Sequence, residues 1–472
     1  MLSFICKKVD VLYKYCVTML PTSKIKRYIC NINYIKHYEM KKYFFFFFLL
    51  ICGVATYAQR SKTEILHNPL LAANGYYAYP GPLKSKLTPA PKGYKPFYIS
   101  HYGRHGSRYL IEPTDYTAPL HVLQHADSLG KLTPLGKDVL YKVTLICNEA
   151  YKRLGELTQL GAEQHQQIAK RMFQRFPEVF RGKTHVDAKS STVIRCILSM
   201  ENALQQLVAL NPKLQITHDA SAFDMPYLVY GDTELYHQKM PGRVKDIYEA
   251  FAKKHDNHVG VMNRLFNDEQ YWRNNINATD LNYQLYTLAS NVQSTELRHH
   301  LSLINLFTPN ELYDAWLKTN AWWYINYGPS PLNGAVQPYS QRMLLRRIIT
   351  EADSCIALSH PGATLRYGHD TIVMPLVCLL DINGYGKQIK DLEQLDNEDW
   401  LDYRIFPMAC NLQFVFYRSS VHPHDILVKV LLNENETLLP LSSNVAPYYH
   451  WSDFKAYYLQ KIDSFKGNQD TK

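Results

Sequence analysis

Short strand-like runs that alternate with helix-like segments are the feature of this sequence that most restricts its fold. Residues 97–103 form an apolar, aromatic and β-branched run, and residues 183–210 combine a strand, a Ser-rich turn and a long amphipathic helix. Residues 363–382 repeat the order of strand, turn and apolar helix. Near the C-terminus, residues 411–419 and 426–436 predict an antiparallel pair of strands at an edge of the sheet. This alternation of strands and helices predicts an α/β sandwich.

Helix-like segments complete the predicted layers. Residues 134–153 and 155–176 have helical spacing of apolar residues, with Thr158 as an N-cap, and residues 339–358 predict another helix. Residues 220–335 differ, because Asn, Tyr and Trp are frequent there and strand-like runs are hard to find. We therefore expect a three-layer α/β sandwich that carries an inserted, mainly α-helical cap. The predicted core comprises residues 59–219 and 336–472, and the predicted cap comprises residues 220–335.

The N-terminal 58 residues have the pattern of a leader. Residues 40–58 contain a short basic region, an apolar run of about a dozen residues and a terminal small residue, Ala58, which is the pattern of a cleavable signal peptide. The apolar run is shorter than the ~20 residues that a membrane span needs, so we expect no stable span in the mature chain. Since Met40 begins a complete signal, residues 1–39 look like an over-extended start. The leader predicts a periplasmic or secreted protein, and retention as an anchor is the alternative.

The charge distribution argues against nucleic-acid binding. The chain carries a formal net charge of +10, but residues 1–58 hold nine Lys or Arg against two acidic residues. The other 414 residues carry 43 basic and 40 acidic side chains, a net charge of only +3. The five cysteines outside the leader lie among apolar neighbours, which predicts buried thiols and no metal site built on cysteine, and a disulfide between two of them is the alternative. We expect no metal and no cofactor.

Residues 104–108 (RHGSR) concentrate positive charge around one imidazole at the end of the first predicted strand. Guanidinium groups such as those of Arg104 and Arg108 bind phosphate oxygens in a bidentate manner. We expect a strand-to-helix turn here, so that the helix N-terminus adds partial positive charge. The neighbouring cations lower the pKa of His105 and keep its imidazole neutral. A neutral imidazole directed at phosphorus is a nucleophile, so the segment predicts covalent transfer of phosphate to His105.

Two other segments supply what this chemistry needs. Arg195, at the start of a predicted helix, can neutralise further phosphate oxygens, although a surface salt bridge is the alternative. His369 and Asp370, in residues 368–371 (GHDT), follow a predicted strand. His369 can donate a hydrogen bond to the phosphoryl group, and Asp370 can protonate the departing oxygen. A carboxylic acid near several cations is normally ionised, so this arrangement suits an acidic pH. A helix N-cap is the structural alternative for Asp370.

Together these segments resemble the histidine acid phosphatases, the branch of the histidine phosphatase superfamily that includes phytases and multiple inositol polyphosphate phosphatases. RHGSR is similar to the RHGxR motif of the family and GHDT to its C-terminal HD motif, while residues 156–164 (ELTQLGAEQ) and 190–195 (SSTVIR) are similar to segments between them. The resemblance implies a phosphoglycerate-mutase-like core, His105 as the nucleophile and Asp370 as the proton donor. It implies a phosphate pocket of Arg104, Arg108, Arg195 and His369.

The resemblance implies a phosphomonoester substrate and leaves its identity open. The C-terminal strands look like those of the inositol polyphosphate phosphatase subgroup, which usually has His-Ala-Glu where this chain has His369-Asp370. Phytate or another inositol polyphosphate is the first expected substrate, and a sugar phosphate such as glucose 1-phosphate, or broad specificity, is the alternative. A non-enzymatic phosphate-ligand binder is the alternative of a different class, but a binder has no use for a proton donor. The oligomeric state stays open.

The aromatic block at residues 313–328 (YDAWLKTNAWWYINYG) has two interpretations. Packing within the predicted cap is the simpler one, because Tyr and Trp bury large areas in helical cores. A surface on which glycans stack is the sharper alternative. The sequence alone does not separate them.

Overall fold

The computed structural model describes residues 60–84, 86–232, 234–235 and 239–466, and the described residues from Ser61 onward form one compact unit. The predicted signal peptide at residues 40–58 lies outside the described residues. The helices are α1 (Arg60–His67), α2 (Pro113–Ser128), α3 (Pro134–Ala150), α4 (Gln159–Arg175), α5 (Ile194–Leu210), α6 (Gly242–Lys254), α7 (His258–Leu265), α8 (Glu269–Asn275), α9 (Ala278–Asn291), α10 (Pro309–Tyr327), α11 (Arg342–Ile356), α12 (Asp370–Leu379), α13 (Asp402–Ile405) and α14 (Trp451–Asp463). The strands are β1 (Tyr94–Arg104), β2 (His185–Ser190), β3 (Gln215–Asp219), β4 (Gly362–Gly368), β5 (Asn411–Ser419), β6 (Ile426–Leu432), β7 (Asn435–Glu436) and β8 (Tyr449–His450).

The strands form one mixed sheet in the order β3-β2-β4-β1-β5-β6-β7, with β8 also paired to β6. Strands β3, β2, β4 and β1 run parallel to one another, whereas β5 is antiparallel to β1 and β6 is antiparallel to β5. The predicted antiparallel pair near the C-terminus is therefore confirmed. The parallel strands end at a common edge of the sheet, and this edge is where side chains from separate segments can meet.

Side chains on the two faces of the sheet enter two separate hydrophobic cores. Tyr98 and Tyr102 of β1 join one core, which also contains apolar side chains of α9, α10 and α12. Ile99 of β1 joins the other core, with Met172 of α4 and Leu204 of α5. The alternation follows from the two-residue period of a strand. Helices on both faces of a mixed sheet confirm the predicted α/β sandwich.

Residues 104–108 do not turn directly into a helix, so that expectation is wrong. Strand β1 ends at Arg104, and α2 begins only at Pro113. The intervening chain is extended enough for Arg108 to form an isolated antiparallel bridge with Leu157. No helix therefore begins immediately after residues 104–108, where we expected one. By contrast, residues 368–371 have the predicted geometry, because β4 ends at Gly368 and α12 begins at Asp370.

The other sequence-based elements differ little from the structure. Thr158 caps α4, since its side chain accepts a hydrogen bond from Gly161 N. Strand β3 was not predicted, and Cys147 and Cys355 are only half-buried, whereas the other three described cysteines are buried. The described part of residues 220–335 contains helices α6 to α10 and no strand longer than an isolated bridge. No described helix has both the length and the apolar composition that a membrane crossing requires.

Candidate active site

The two charged segments lie side by side because β1 and β4 are parallel neighbours. Arg104 is opposite Gly368 in the register of the two strands, and His105 N donates a hydrogen bond of 2.9 Å to Gly368 O. The chain therefore leaves both strands at the same point of the sheet edge. The imidazole rings of His105 and His369 meet edge to face, with 5.7 Å between their centroids. Both rings are in the candidate active site.

The loop after β1 is held against the N-terminus of α4. Ser107 N donates to Gln164 Oε1 at 2.9 Å, and Thr158 Oγ1 donates to Ser107 O at 3.0 Å. Gly161 allows this approach, because a Cβ atom there would lie 2.8 Å from Ser107 N and would overlap the Ser107 carbonyl oxygen. Gly106 N donates to Ser199 Oγ at 3.1 Å, which adds a contact to α5. These contacts explain why the segment at residues 156–164 accompanies RHGSR.

Arg104 is fixed by three acceptors. Its Nη1 donates to Gly75 O at 2.6 Å and to Phe406 O at 2.8 Å, while its Nη2 forms an ion pair of 2.6 Å with Asp370 Oδ2. The side chain is only 1 % exposed, so the guanidinium group has little freedom to move. Charge-assisted hydrogen bonds of this length are stronger than neutral ones. Arg104 therefore links the candidate site to Asp370 and to two backbone carbonyls.

Three guanidinium groups retain unused donors in the site. The buried Nε atoms of Arg104, Arg108 and Arg195 have no hydrogen-bond partner among the described residues. Buried polar groups normally find partners, so unpaired donors that converge on one place indicate a site for an anion. Burial and the positive charge of Arg108 lower the pKa of Arg195, which is close to the other cations and forms no ion pair within the described chain. The salt-bridge alternative for Arg195 therefore has no support here.

Burial and positive charge keep both imidazoles neutral. Burial, and then the charges of Arg104 and Arg195, lower the pKa of His105 well below its ordinary value. Burial and the charge of Arg195 lower the pKa of His369 to about 4. Protonating either ring in this surrounding would add a buried charge beside existing cations. Burial and the neighbouring cations therefore favour the uncharged form of both imidazoles.

The tautomer of His105 follows from its hydrogen bond. Its Nδ1 lies 2.9 Å from Gly106 O, and a carbonyl oxygen can only accept, so a neutral His105 carries its proton on Nδ1. The lone pair is consequently on Nε2. His369 Nε2 lies 3.3 Å from Ser191 Oγ. Each ring thus has a hydrogen-bond partner that fixes its orientation.

Asp370 is an ionised carboxylate in this structure. Burial alone raises its pKa, but the positive charges of Arg104 and Arg108 outweigh burial, and the pKa lies below the ordinary value. The residue is the first of α12, and its Oδ1 accepts a hydrogen bond of 2.8 Å from Thr371 N. The N-cap position itself belongs to His369. Asp370 is thus held by a helix N-terminus and an arginine together, and both favour its negative charge.

The charges of the site balance a single phosphate dianion. Arg104, Arg108 and Arg195 supply three positive charges and Asp370 one negative charge, which leaves two positive charges while the imidazoles are neutral. A phosphate monoester carries up to about two negative charges near neutral pH. Within the described residues, no cluster of three or more His, Cys, Asp or Glu side chains is arranged to hold a metal ion.

A cavity of about 460 Å³ is lined by three residues of this cluster together with aromatic and uncharged polar residues. Its floor is formed by Arg104, Arg108 and Asp370. Its walls come from residues 74–76 of the N-terminal lead-in and from side chains of α6, α9 and α10. A cavity of this size is large enough for a small organic molecule. The floor and the walls therefore define a binding site that includes Arg104, Arg108 and Asp370 of the charged cluster.

All six residues predicted for the site are brought into one neighbourhood. The structure adds Gly75 and Phe406, whose carbonyl oxygens hold Arg104, and Gln164, which holds the Ser107 amide. Backbone acceptors leave no trace in a sequence, so the first two could not have been found. Gln164 lies in the segment that was singled out, yet nothing in its residue type indicated its contact.

Known proteins resemble this chain at the level of a sequence family and of a fold. A sequence model of the histidine phosphatase superfamily (branch 2) matches residues 103–433. No curated protein is similar enough to count as a match. Among solved structures, the multiple inositol polyphosphate phosphatase of Bifidobacterium longum, in complex with inositol hexasulfate, is 18 % identical with a TM-score of 0.65, and the match covers 82 % of this chain and 97 % of that chain.

A second solved structure extends the likeness. The phytase from D. castellii is 13 % identical with a TM-score of 0.59, and the match covers 84 % of this chain and 85 % of that chain. At such identities the two structures establish a shared fold. The family match spans well over half of the sequence and includes both RHGSR and GHDT. The chain is therefore a phosphomonoester hydrolase that belongs to the histidine phosphatase superfamily (branch 2).

Proposed function

We propose that this enzyme hydrolyses phosphomonoesters through a covalent phosphohistidine at His105. The observation that carries the proposal is a neutral imidazole, with its lone pair on Nε2, among three guanidinium groups and next to Asp370. Arg104, Arg108, Arg195 and His369 bind the phosphoryl oxygens. The arginines stabilise the charge that develops on those oxygens in the transition state.

The first step transfers the phosphoryl group to the enzyme. His105 Nε2 attacks phosphorus, so a nitrogen–phosphorus bond forms while the bond between phosphorus and the ester oxygen breaks. Asp370, as the carboxylic acid, gives its proton to the departing oxygen, and the alcohol leaves. In the second step, water attacks phosphorus and loses a proton to the Asp370 carboxylate. The nitrogen–phosphorus bond breaks, inorganic phosphate forms, and His105 regains its lone pair.

Substrate binding prepares Asp370 for its role as an acid. Without a ligand, Arg104 holds the pKa of Asp370 down. A phosphate dianion competes for Arg104 and places negative charge beside the carboxylate, and both effects raise the pKa of Asp370. Acidic pH increases the protonated fraction further. We therefore propose an acid phosphatase, in which His105 stays neutral because its pKa lies well below its ordinary value.

The substrate class that we propose is an inositol phosphate, up to phytate. Support comes from the similar solved structures, a multiple inositol polyphosphate phosphatase and a phytase. A sugar phosphate is the second candidate. We further propose that residues 220–335 act as an inserted cap between core segments 59–219 and 336–472, and that the leader pattern at residues 40–58 directs export to the periplasm or beyond.

The test is to trap the intermediate. The protein is mixed with p-nitrophenyl phosphate or phytate at pH 4–7 in the presence of EDTA, quenched rapidly and digested. We expect an acid-labile, alkali-stable phosphate on the peptide that contains His105. His105→Ala should lose both this phosphate and turnover, whereas His121→Ala, a surface control on α2, should keep both. No hydrolysis of any phosphomonoester by the unaltered protein would favour a phosphate-ligand binder, and loss of activity with EDTA would contradict the metal-free mechanism.

A further inference from the structure

The walls of the cavity are aromatic. Six aromatic side chains take part in its lining, which are Tyr76, Tyr248, Tyr283, Tyr286, Trp322 and Trp323. They come from the lead-in before β1 and from α6, α9 and α10, segments that lie far apart in the sequence. Aromatic rings gathered from such distant segments create an apolar surface in the same cavity as Arg104, Arg108 and Asp370. A ring-shaped leaving group would be in contact with this surface while its phosphate reaches the arginines.

Two of these rings are available to a ligand. Tyr283 is 59 % exposed and Trp322 is 36 % exposed, although both are large aromatic residues. Trp322 packs edge to face against Trp323, with 5.3 Å between ring centroids, and Trp323 packs against Phe406 at 4.7 Å. The exposed ring of Trp322 is therefore supported by the half-buried Trp323, which packs in turn on the buried Phe406. A rigid platform loses little conformational entropy when a ligand stacks on it.

The walls carry no charge that could neutralise a second phosphate. Among the described lining residues, charged side chains occur only at the floor, as Arg104, Arg108 and Asp370. The remaining polar side chains of the lining are uncharged ones such as Asn74, Thr287 and Thr319, which suit hydroxyl groups. Moving further phosphates away from water towards these walls would cost free energy without a compensating cation.

We propose that the aromatic wall is a leaving-group subsite for the uncharged face of a ring alcohol, and that the enzyme prefers ring monophosphates to fully phosphorylated inositol. The inference rests on the proposed function and narrows it. The ring stacks on Trp322 and Tyr283, and its hydroxyl groups bond to the neutral polar side chains. A sugar and a cyclitol share this chemistry. A purely aromatic alcohol shares the stacking but not the hydroxyl contacts.

Kinetics on four substrates test the preference. We expect kcat/KM for glucose 1-phosphate and inositol 1-phosphate to exceed that for inositol hexakisphosphate by about tenfold or more, and phenyl phosphate to lie between them. Trp322→Ala should lower kcat/KM for the ring monophosphates by about 3- to 10-fold through KM, as expected for one aromatic contact. It should change the value for glycerol 2-phosphate, which has no ring, less than twofold.

Matched variants separate stacking from general damage. Trp322→Phe should restore most of the loss on ring substrates, and Tyr141→Ala, an exposed tyrosine on α3 outside the cavity lining, should have no effect. A preference for inositol hexakisphosphate, or an equal loss on glycerol 2-phosphate and on ring substrates in Trp322→Ala, would overturn the proposal.

Binding provides a readout that does not depend on turnover. In His105→Ala, glucose 1-phosphate should quench tryptophan fluorescence and bind more tightly than inositol hexakisphosphate, and Trp322→Ala in that background should weaken binding of glucose 1-phosphate. Tighter binding of the hexakisphosphate would overturn the subsite. If the unaltered protein turns over no phosphomonoester but the binding order holds, then the proposed function fails and the subsite stands.

Discussion

The floor of the cavity and its aromatic wall are built in opposite ways. The floor residues follow the ends of neighbouring parallel strands and are fixed by the backbone, as the hydrogen bond from His105 N to Gly368 O shows. The wall consists of side chains such as Tyr283 and Trp322, which extend from separate helices and meet only in the folded protein. The floor can thus keep one chemistry while the wall is free to vary. We propose that catalysis depends on the first region and discrimination between alcohols on the second.

Asp370→Asn should have the largest effect among the variants that sharpen this contrast. An amide cannot give its proton to the leaving oxygen, so kcat/KM for glycerol 2-phosphate should fall by about 10²–10⁴-fold. The loss on p-nitrophenyl phosphate should be much smaller, because its phenolate leaves without a proton. The measurement is kcat/KM on both substrates between pH 4 and 7, where the acidic rise in the glycerol phosphate rate should also flatten.

Asp115→Asn is the matched control for this variant. Asp115 is a half-buried carboxylate of α2. Burial raises its pKa, and the charge of Arg108 opposes this increase as a smaller effect. It should leave the dependence on the leaving group unchanged. An equal loss on the two substrates in Asp370→Asn would remove Asp370 from the acid role and would place proton transfer elsewhere on the floor.

The same contrast explains what the sequence could predict. The floor residues lie in short contiguous segments after strand-like runs, so residue type and position together indicated their neighbourhood. The wall gave no comparable signal. Trp316 and Trp322 belong to the same helix, α10, yet Trp316 is fully buried and Trp322 lines the cavity. A tryptophan that packs in a core and one that contacts a ligand look alike in the sequence, and only the tertiary structure distinguishes them.

Two local errors have physical reasons of the same kind. Strand β3 escaped prediction because it is an edge strand with mostly exposed side chains, so it lacks an alternating apolar pattern. The helix expected after RHGSR is missing because the loop is instead clamped to α4 through Gln164 and Gly161. Long-range contacts, which leave no local pattern, decided both cases.

Gly161→Ala should displace the loop that carries His105 and Arg108 without replacing any charged residue. The added methyl group would overlap the Ser107 carbonyl, so the loop that carries His105 and Arg108 must move. Displacement of a reacting group by about 1 Å can cost ~10²-fold in rate, and we expect a loss of this size on every substrate alike. The measurement is kcat/KM on ring and acyclic phosphomonoesters, together with thermal unfolding to verify that the protein is folded.

Gly242→Ala provides the comparison for Gly161→Ala. A Cβ atom at Gly242, the first residue of α6, meets nothing within 4 Å, so activity should be unchanged. If Gly161→Ala slowed only the ring substrates, then the contact between α4 and the loop would determine which substrates are preferred. That result would contradict the distinction between a catalytic floor and a substrate-selecting wall.

The smallest expected effect on catalysis concerns the histidines beneath the floor. Burial lowers the pKa of His101, on β1, to about 3, and it also lowers the pKa of His165, on α4, to about 3. Unfolding exposes each ring and returns its pKa to about 6.5, so the unfolded chain binds more protons below that pH. Their contribution to stability is therefore complete above pH 6.5 and is lost as the pH falls towards 3.

His101→Phe should consequently reduce the acid sensitivity of folding. As the pH is lowered below 6, the free energy of unfolding falls in both proteins. The fall per pH unit should be smaller in His101→Phe by about 1.4 kcal/mol, because one titrating ring is gone. Both ring nitrogens of His101 lack a hydrogen-bond partner among the described residues, so phenylalanine removes unpaired polar atoms from the core and should preserve the fold. Urea unfolding at pH 7.5 and 5.0 measures the difference. Trp322→Ala should leave the pH dependence of the free energy of unfolding unchanged, because this variant keeps the buried rings of His101 and His165. A changed slope in Trp322→Ala would contradict the separation of the aromatic wall from these histidines.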